Sequence, residues 1–288
     1  MPSAPAGAPD IATRIVTQAL ATQLGQPVIV ENRPGAATTI GHEAVARSPA
    51  DGYTLALGTT GGLATAPSIY PITYDSVKSF APISLITHAP YMVVVHPALP
   101  VKSLKDLIAL AKARPGELHF GSGGNGNPLH IAGEMFKTAA GVNLFHVPYK
   151  SVTYAVIDLL AGRVQVIFEQ PASVQRYFDA GQLRPLAVAA PKRSTRFPLV
   201  PTAAEAGVAG YEVAAWFGFL APAGTPATVI GLLNSEVQKA VATRSVHEAL
   251  SNQGFEPRTT SPEQFVELIA SERQKWARAV KAANIRVD

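Results

Sequence analysis

The residues best suited to chemistry in this chain form one glycine-rich stretch, Gly121-Ser-Gly-Gly-Asn-Gly-Asn-Pro-Leu-His130. The residues Leu118 to Phe120 before it resemble the end of a strand, and Pro128 occupies a position typical of the first turn of a helix. Small side chains at such a turn let a ligand approach free backbone N–H groups, and the positive end of the helix dipole favours an anion. The stretch therefore predicts a cradle for a carboxylate or a phosphate.

The same stretch has two other interpretations. Gly121, Gly123 and Gly126 satisfy the dinucleotide fingerprint G-x-G-x-x-G, which also needs an acidic residue about twenty positions later to hold a ribose. No Asp or Glu occurs between Glu134 and Asp158, so a nucleotide-dependent oxidoreductase is the weaker alternative. A tight turn with a purely structural role is the other alternative.

The chain offers no set of residues typical of catalysis. It has no cysteine, which excludes thiolate chemistry, Cys-ligated zinc and disulfides. Its seven histidines form no H-E-x-x-H pair, and no G-x-S-x-G occurs. We therefore predict no catalytic residue, no metal site, no cofactor and no enzymatic activity, with His130 as the histidine best placed to face a ligand.

Two further small-residue stretches are candidates for ligand contact. Ala6-Gly7-Ala8-Pro9-Asp10 precedes a predicted helix, and Gly58-Thr-Thr-Gly-Gly62 follows a predicted strand. The alternative for the first is a frayed terminus. For the second, Thr59 and Thr60 could donate hydroxyl hydrogen bonds to a ligand or only cap the turn.

Polar side chains follow two more predicted strands. Tyr149 and Lys150 come after one, and Glu169 and Gln170 after another. Ligands of open α/β sheets bind at the carboxyl ends of the strands, so these residues are candidates to line the site. A solvated lysine is the common alternative for Lys150.

Strand-like and helix-like segments alternate along the chain, which predicts parallel sheets with helical crossovers. Strands are expected at 27–31, 53–57, 83–87, 91–96, 118–120, 144–147, 164–168, 183–189 and 216–220, and helices at 10–24, 37–46, 104–113, 128–139, 153–160, 172–180, 226–241, 246–251 and 262–282. We expect two α/β lobes, a discontinuous first lobe of residues 1–98 and 222–288 and a second lobe of residues 99–221, with a ligand cleft between them.

The composition narrows the possible partners. A net charge of +4 spread along the chain favours anionic small molecules weakly and gives little reason to expect nucleic-acid binding. No apolar run is long enough to span a membrane. The first residues, Met1-Pro-Ser-Ala-Pro, lack the basic and apolar regions of a secretory signal. We expect a monomer.

Several motifs together resemble the Bug family, the TctC-like substrate-binding proteins of tripartite tricarboxylate transporters. Beside the glycine-rich stretch, the resemblance rests on five motifs, Val30-Glu-Asn-Arg-Pro-Gly35, Ala50-Asp-Gly-Tyr53, His146-Val-Pro-Tyr-Lys150, Asp158-Leu-Leu-Ala-Gly162 and Trp216-Phe-Gly-Phe-Leu-Ala-Pro222. It implies a type 2 periplasmic-binding-protein fold, with C-terminal helices that return to the first lobe. It also implies a periplasmic protein that closes on a dicarboxylate, a tricarboxylate or an acidic amino acid and delivers it to the membrane subunits of a transporter.

The resemblance also implies which residues contact the ligand. These are Gly7, Ala8 and Asp10 in the first loop, Thr59, Thr60 and Gly61 in the second, Ser122, Gly123, Asn125 and Gly126 in the third, and Glu169 on the second lobe. In such proteins backbone and hydroxyl groups hold the carboxylates, partly through water.

This chain departs from the family pattern in three ways. The secretory signal and the first strand that normally precede the Gly7 loop are expected to be missing, which leaves a truncated, non-transporting relative as a further alternative. Ser151 and Val152 stand where relatives usually have glycine. Glu169 and Gln170 replace the more usual Asp-Asn, which we expect to change the size or charge of the ligand.

Overall fold

The computed structural model describes residues 1–3, 5–35 and 38–285. It divides into two compact units. Unit 1 comprises Met1–His88 and Trp216–Arg278, and unit 2 comprises Ala89–Ala215 with the described residues from Ala279 onward. The chain crosses between the units three times. The first two crossings fall inside strands and the third falls inside the last helix, whereas the two predicted boundaries, after residues 98 and 221, lie six to ten residues later in the chain than the first two crossings.

The helices and strands alternate along most of the chain, as predicted. The α-helices are α1 (Ala8–Leu24), α2 (Thr39–Ala46), α3 (Leu104–Ala113), α4 (Pro128–Ala140), α5 (Val152–Leu160), α6 (Pro171–Asp179), α7 (Ala227–Ala242), α8 (Arg244–Asn252) and α9 (Pro262–Ala282). The strands are β1 (Ala56–Thr59), β2 (Phe80–Pro90), β3 (Met92–Val95), β4 (His119–Ser122), β5 (Phe145–Pro148), β6 (Val166–Glu169), β7 (Arg184–Val188), β8 (Ala214–Pro222) and β9 (Glu256–Pro257). Residue 37, the predicted start of the second helix, lies outside the described residues.

Unit 1 contains a four-stranded sheet in the order β1-β8-β2-β9. Strand β1 runs antiparallel to β8, with Ala56 opposite Leu220, and β2 runs antiparallel to β9. The prediction of a parallel sheet is therefore wrong for these pairs. Periodicity identifies a strand but does not specify its neighbour, and here strands distant in sequence become neighbours.

The predicted strand at 27–31 is wrong, because residues 27–35 have no regular secondary structure. The apolar run Val28-Ile-Val30 is typical of a buried strand, yet Ile29 is 86% exposed. Strand β1 lies at the end of its sheet and pairs with β8 alone. A groove of about 780 Å³ is lined by residues of this run and of β1. The run is therefore not a strand of this sheet, although its apolar residues are typical of one.

Unit 2 contains a five-stranded sheet in the order β5-β4-β6-β3-β7. Strands β5, β4 and β6 are parallel, which confirms the prediction for this part of the chain. Strand β3 is antiparallel to both β6 and β7. The three parallel strands therefore end at the same edge of the sheet.

Helix α4 is fixed against this sheet by a close glycine contact. A Cβ atom on Gly133 would lie 2.3 Å from the ring of Phe120, so only glycine allows the helix to approach strand β4 this closely. Phe120 and Phe136 both contact the ring of Phe168. This aromatic core sets the position of the first turn of α4 relative to the strand edge.

None of the described helices combines the length and the apolar character that crossing a bilayer requires.

Candidate ligand-binding site

The site residues predicted in unit 2 meet at the carboxyl edge of its parallel strands. Strand β4 ends at Ser122, which lies opposite Pro148 of β5, and Gly121 lies opposite Ile167 of β6. Residues that follow these strand ends are therefore neighbours in space. The structure brings together at this edge Ser122, Gly123, Asn125, Gly126, His130, Tyr149 and Glu169.

The glycine-rich loop is largely closed on itself. The Gly124 N–H donates to Ser122 Oγ at 3.2 Å, and the Gly126 N–H donates to His130 Nδ1 at 3.1 Å. The side chain of Asn127 caps helix α4 by accepting a hydrogen bond from the Leu129 N–H at 2.9 Å. The expectation of free backbone donors is therefore wrong for these three N–H groups. A ligand oxygen that used one of them would have to replace a side chain.

A pair of stacked histidines forms hydrogen bonds with this loop. The rings of His130 and His146 are stacked, with centroids 3.7 Å apart and planes 7° from parallel. His146 Nε2 lies 2.6 Å from Ser122 Oγ. Burial lowers the pKa of His130 to about 4, with a smaller effect from the charge of Lys137. Burial also lowers the pKa of His146 to about 3, assisted by His130 and Lys137.

Two neutral rings therefore hold the loop at neutral pH. Because each neutral imidazole has one nitrogen that accepts a hydrogen bond, His130 can receive the Gly126 N–H. His130 was predicted from the sequence as a site residue, whereas His146 was not. The signal that could have found it is its position on the strand next to the loop, in the motif that also contains Tyr149.

Tyr149 contributes its ring to this edge, while its hydroxyl is already used. The hydroxyl donates to Asp158 Oδ2 at 2.7 Å. Burial raises the pKa of Tyr149 to about 12, and the hydrogen bond and charge of Asp158 act in the same direction. Tyr149 therefore stays protonated and joins the loop after β5 to helix α5.

Glu169 is the most unusual group at the edge. It is 2% exposed, and its Oε1 accepts the Gln170 N–H at 2.8 Å. Its Oε2 is buried and has no hydrogen-bond partner among the described residues, and the same holds for Oε1 of Gln170. Burial raises the pKa of Glu169 to about 7, although the Gln170 amide and the nearby Ser173 hydroxyl act in the opposite direction.

The loop at Gly7 in unit 1 is held by Asp10. The Asp10 carboxylate accepts hydrogen bonds from the Ala6 N–H, the Arg14 guanidinium and the Asn32 amide, at 3.0, 3.0 and 2.9 Å. Burial would raise the pKa of Asp10, but these bonds outweigh it and lower the pKa. Asp10 therefore fixes the start of helix α1, next to Gly7 and Ala8, with both carboxylate oxygens occupied.

The threonines of the second loop also make local bonds. Thr59 Oγ1 accepts the Gly62 N–H at 3.2 Å, and Thr60 Oγ1 accepts the Trp216 backbone N–H at 3.0 Å. Gly61 begins a short π-helical turn, Gly61–Thr65. These contacts agree with the capping alternative for Thr59.

Trp216 itself was missed as a candidate site residue. Its indole Nε1–H is buried and has no partner among the described residues, and its ring packs edge-on against Phe265. Buried polar groups are normally hydrogen-bonded, and leaving one unsatisfied costs about 1–3 kcal/mol. Trp216 Nε1 in unit 1 and Glu169 Oε2 in unit 2 are therefore buried polar atoms that lack a hydrogen-bond partner among the described residues.

The groups described at this edge were also compared with the needs of metal binding and of base catalysis. Within residues 1–3, 5–35 and 38–285, no group of three or more His, Cys, Asp or Glu side chains could hold a metal ion. Ser122 contacts a histidine, but a ring whose pKa is about 3 is a weak general base at neutral pH. The edge carries the Ser122 hydroxyl and backbone amide groups beside the N-terminus of α4, and the buried Glu169 carboxyl beside the N-terminus of α6.

Comparison with solved structures shows the same fold. A periplasmic transporter structure aligns with a TM-score of 0.93 at 37% identity, covering 100% of this chain and 96% of the other. The R. palustris protein Rpa4515 with adipate aligns with a TM-score of 0.94 at 36% identity, covering 99% and 96%. MatC (Rpa3494) from Rhodopseudomonas palustris, with bound malate, aligns with a TM-score of 0.87 at 29% identity, covering 97% and 96%.

Comparison of sequences gives the same result. Protein BugT of Bordetella pertussis is 38% identical over 289 residues, which cover 100% of this chain and 89% of the relative. Residues 12–285 match the model of the tripartite tricarboxylate transporter family receptor, TctC. The two-unit α/β fold, the family motifs and these matches agree, and the chain belongs to the TctC family of tripartite tricarboxylate transporter receptors.

Proposed function

We propose that this protein is an extracytoplasmic solute-binding protein that captures a small carboxylate by closure of its two units. It then delivers the ligand to the membrane subunits of a tripartite tricarboxylate transporter. Its action needs no chemical step. Family membership supports this role, and the carboxyl edge of the unit 2 sheet supports the choice of ligand.

The observation that carries the proposal is the chemistry of that edge. The Ser122 hydroxyl, the loop to Gly126 and the first turn of α4 lie together where three parallel strands end. Helix N-termini stabilise anions, and hydroxyl and amide groups bind carboxylate oxygens without a fixed positive charge. Because both nearby histidines are neutral, selectivity comes from hydrogen bonds rather than from an ion pair.

The ligand class that fits best is an aliphatic dicarboxylate. Two proteins of similar structure were solved with adipate and with malate, so dicarboxylates of different length are accommodated on this fold. A tricarboxylate or an acidic amino acid shares the same carboxylate chemistry. These compounds form the panel to be tested.

A thermal-shift screen tests the proposal. Adipate, malate, citrate and glutamate are added at increasing concentration, with hexane-1,6-diol as a control that matches adipate in length but has no charge. A ligand at a hundred times its dissociation constant stabilises the folded protein by about 2.7 kcal/mol. For a chain of this size we expect a rise in Tm of at least ~2–4 °C. A panel in which no carboxylate moves Tm more than the diol contradicts the proposal.

The nucleotide-dependent oxidoreductase stays as the second candidate, because Gly121, Gly123 and Gly126 match the fingerprint. The structure offers it little support, since Gly121 lies within strand β4. The nearest acid to the next strand, Asp158, is occupied by Tyr149 and Arg163. Titration with a dinucleotide, followed by tryptophan fluorescence, decides between the two: saturable binding favours the oxidoreductase, and no response removes it.

A further inference from the structure

Glu169 is a buried carboxyl group of unit 2 that lies at the end of a strand. It ends strand β6, next to β4 and its glycine-rich loop, and immediately precedes helix α6 with Gln170 as the N-cap residue. Its side chain is thus buried at the same strand edge as the proposed ligand contacts. Ligands of open α/β sheets bind at this end of the strands.

The two oxygens of Glu169 have different surroundings. Oε1 accepts the Gln170 N–H at 2.8 Å, while Oε2 is buried without a partner among the described residues. Since the amide donor occupies Oε1, Oε2 is the oxygen free to carry a proton. No charged side chain in the described part of the chain shifts the titration of this carboxyl.

An ionised Glu169 would be a buried charge without a counter-ion, which costs several kcal/mol. A ligand carboxylate beside it would add repulsion between like charges. Two carboxyl groups that share a site avoid this cost when one of them keeps its proton, and the resulting O–H···O⁻ bond is short and strong. The geometry therefore favours a neutral acid facing an anionic ligand.

We infer that Glu169 binds the ligand as a neutral carboxylic acid and donates a hydrogen bond from Oε2 to a ligand carboxylate oxygen, so that capture of the anion takes up a proton. This inference rests on the proposed function. It adds a specificity rule: the ligand must present a carboxylate acceptor to Glu169, and an ammonium group there would need the ionised form instead.

Other groups at this edge do not titrate in the range that matters. The pKa of Tyr149 is raised to about 12, and the pKa values of His130 and His146 are lowered to about 4 and 3. Ligand carboxyls have pKa values of about 4–5. Between pH 6.5 and pH 9, Glu169, with a pKa of about 7, therefore changes charge while these three groups do not.

Calorimetric titration of the full chain with adipate tests the inference. Titrations at pH 8 in two buffers of different ionisation enthalpy measure proton uptake, which we expect to be about 0.9 proton per adipate for a group with a pKa near 7. The dissociation constant is expected to rise roughly 50- to 100-fold between pH 6.5 and pH 9. Both measurements use the unaltered protein and do not depend on whether a variant folds.

Two variants assign the effect to this residue. Glu169→Gln keeps a hydrogen-bond donor but cannot titrate, so its affinity should vary less than about threefold over the same range. Glu256→Gln is the matched control: burial also raises the pKa of Glu256, but this residue lies on β9 in unit 1. The control should keep the pH dependence of the unaltered protein.

The outcomes separate the two proposals. Adipate binding with no proton uptake and equal affinity at pH 6.5 and pH 9 would overturn the role of Glu169 and leave the solute-binding function intact. A pH dependence that survives in Glu169→Gln would also overturn it. Failure of every carboxylate in the panel to bind at either pH would instead contradict the proposed function itself.

Discussion

The imidazole rings of His130 and His146 lie 3.7 Å apart and 7° from parallel. One ring belongs to helix α4 and the other to strand β5, and each contacts the glycine-rich loop, through Gly126 N and Ser122 Oγ. The stack therefore joins the helix, the strand and the loop. It fixes the position of the loop at the strand edge that we propose as the carboxylate site.

The first prediction concerns His146. Replacing His146 by Ala removes both the stack and the partner of Ser122 Oγ, so we expect a loss of about 1–3 kcal/mol in the free energy of unfolding. We expect adipate affinity to fall by about tenfold or more, because the loop loses its support. His146→Phe is the matched control, since it keeps an aromatic ring against His130 and loses only the ring nitrogen that bonds to Ser122 Oγ. Urea unfolding and calorimetry measure both quantities, and equal adipate affinity in His146→Ala and the unaltered protein would show that the histidine does not position the loop.

The second prediction concerns the loss of folding stability at acidic pH. The pKa values of His42 and His130 are lowered to about 4 and that of His146 to about 3, in each case mainly by burial. Their unfolded values lie near 6.5, so the unfolded chain binds more protons between these limits and stability falls as the pH is lowered from 6.5 to 4. Glu169 has the opposite effect on stability. Its pKa is raised from 4.5 to about 7, so at this carboxyl the folded protein binds about one more proton than the unfolded chain. The net difference at pH 5.5 is about two protons, or ~2–3 kcal/mol per pH unit.

Urea unfolding at several pH values between 5 and 6.5 measures this slope. Glu169→Gln removes the opposing proton, so its slope should be steeper by about 1 kcal/mol per pH unit. A flat stability profile across this range would mean that the histidines are protonated in the folded protein.

The third prediction concerns the Gly7 loop. Asp10→Ala leaves the Ala6 N–H, Asn32 and Arg14 without their acceptor, and we expect a loss of about 1–3 kcal/mol in the free energy of unfolding. Arg14→Ala removes a partner that is half exposed and should cost much less. Comparing the urea midpoints of the two variants checks this ranking. Equal midpoints would show that Asp10 acts only through its ion pair.

The fourth prediction compares two helical glycines. Gly133→Ala places a Cβ 2.3 Å from the Phe120 ring, and the forced displacement should destabilise the protein by about 1–3 kcal/mol. Gly231 lies in α7, and no atom lies within 4 Å of a Cβ added there. Gly231→Ala should therefore stabilise by up to about 1 kcal/mol. Thermal unfolding of both variants gives the signs, and a neutral Gly133→Ala would mean that Phe120 moves away easily.

Much of the fold could be predicted from local signals in the sequence. The helix predicted at 104–113 is confirmed, with a capping box of Ser103 and Asp106 at its start, and Pro128 begins α4 as predicted. The strand predicted at 27–31 is the exception. Val28-Ile-Val30 has residues typical of a buried strand but belongs to neither sheet. Strand pairing depends on segments far apart in sequence, which periodicity does not reveal.

The candidate site was predictable by position more than by chemistry. The strand-end rule predicted that Tyr149 and Glu169 follow strand ends, and the structure places both on the edge where β4 ends at Ser122. It could not show that His146 contacts the loop, or that burial raises the pKa of Glu169 to about 7, because both depend on tertiary packing. The antiparallel position of β3 between β6 and β7 could not be predicted either, since neighbours in a sheet need not be neighbours in sequence.

Calorimetric titration of the unaltered protein with adipate and malate at pH 6.5, beside hexane-1,6-diol, tests the central claim most directly. We predict saturable binding of at least one of the two dicarboxylates, with one ligand per chain, and no heat of binding from the diol. Absence of saturable binding by both dicarboxylates at millimolar concentration would contradict the assignment of this strand edge as a carboxylate site.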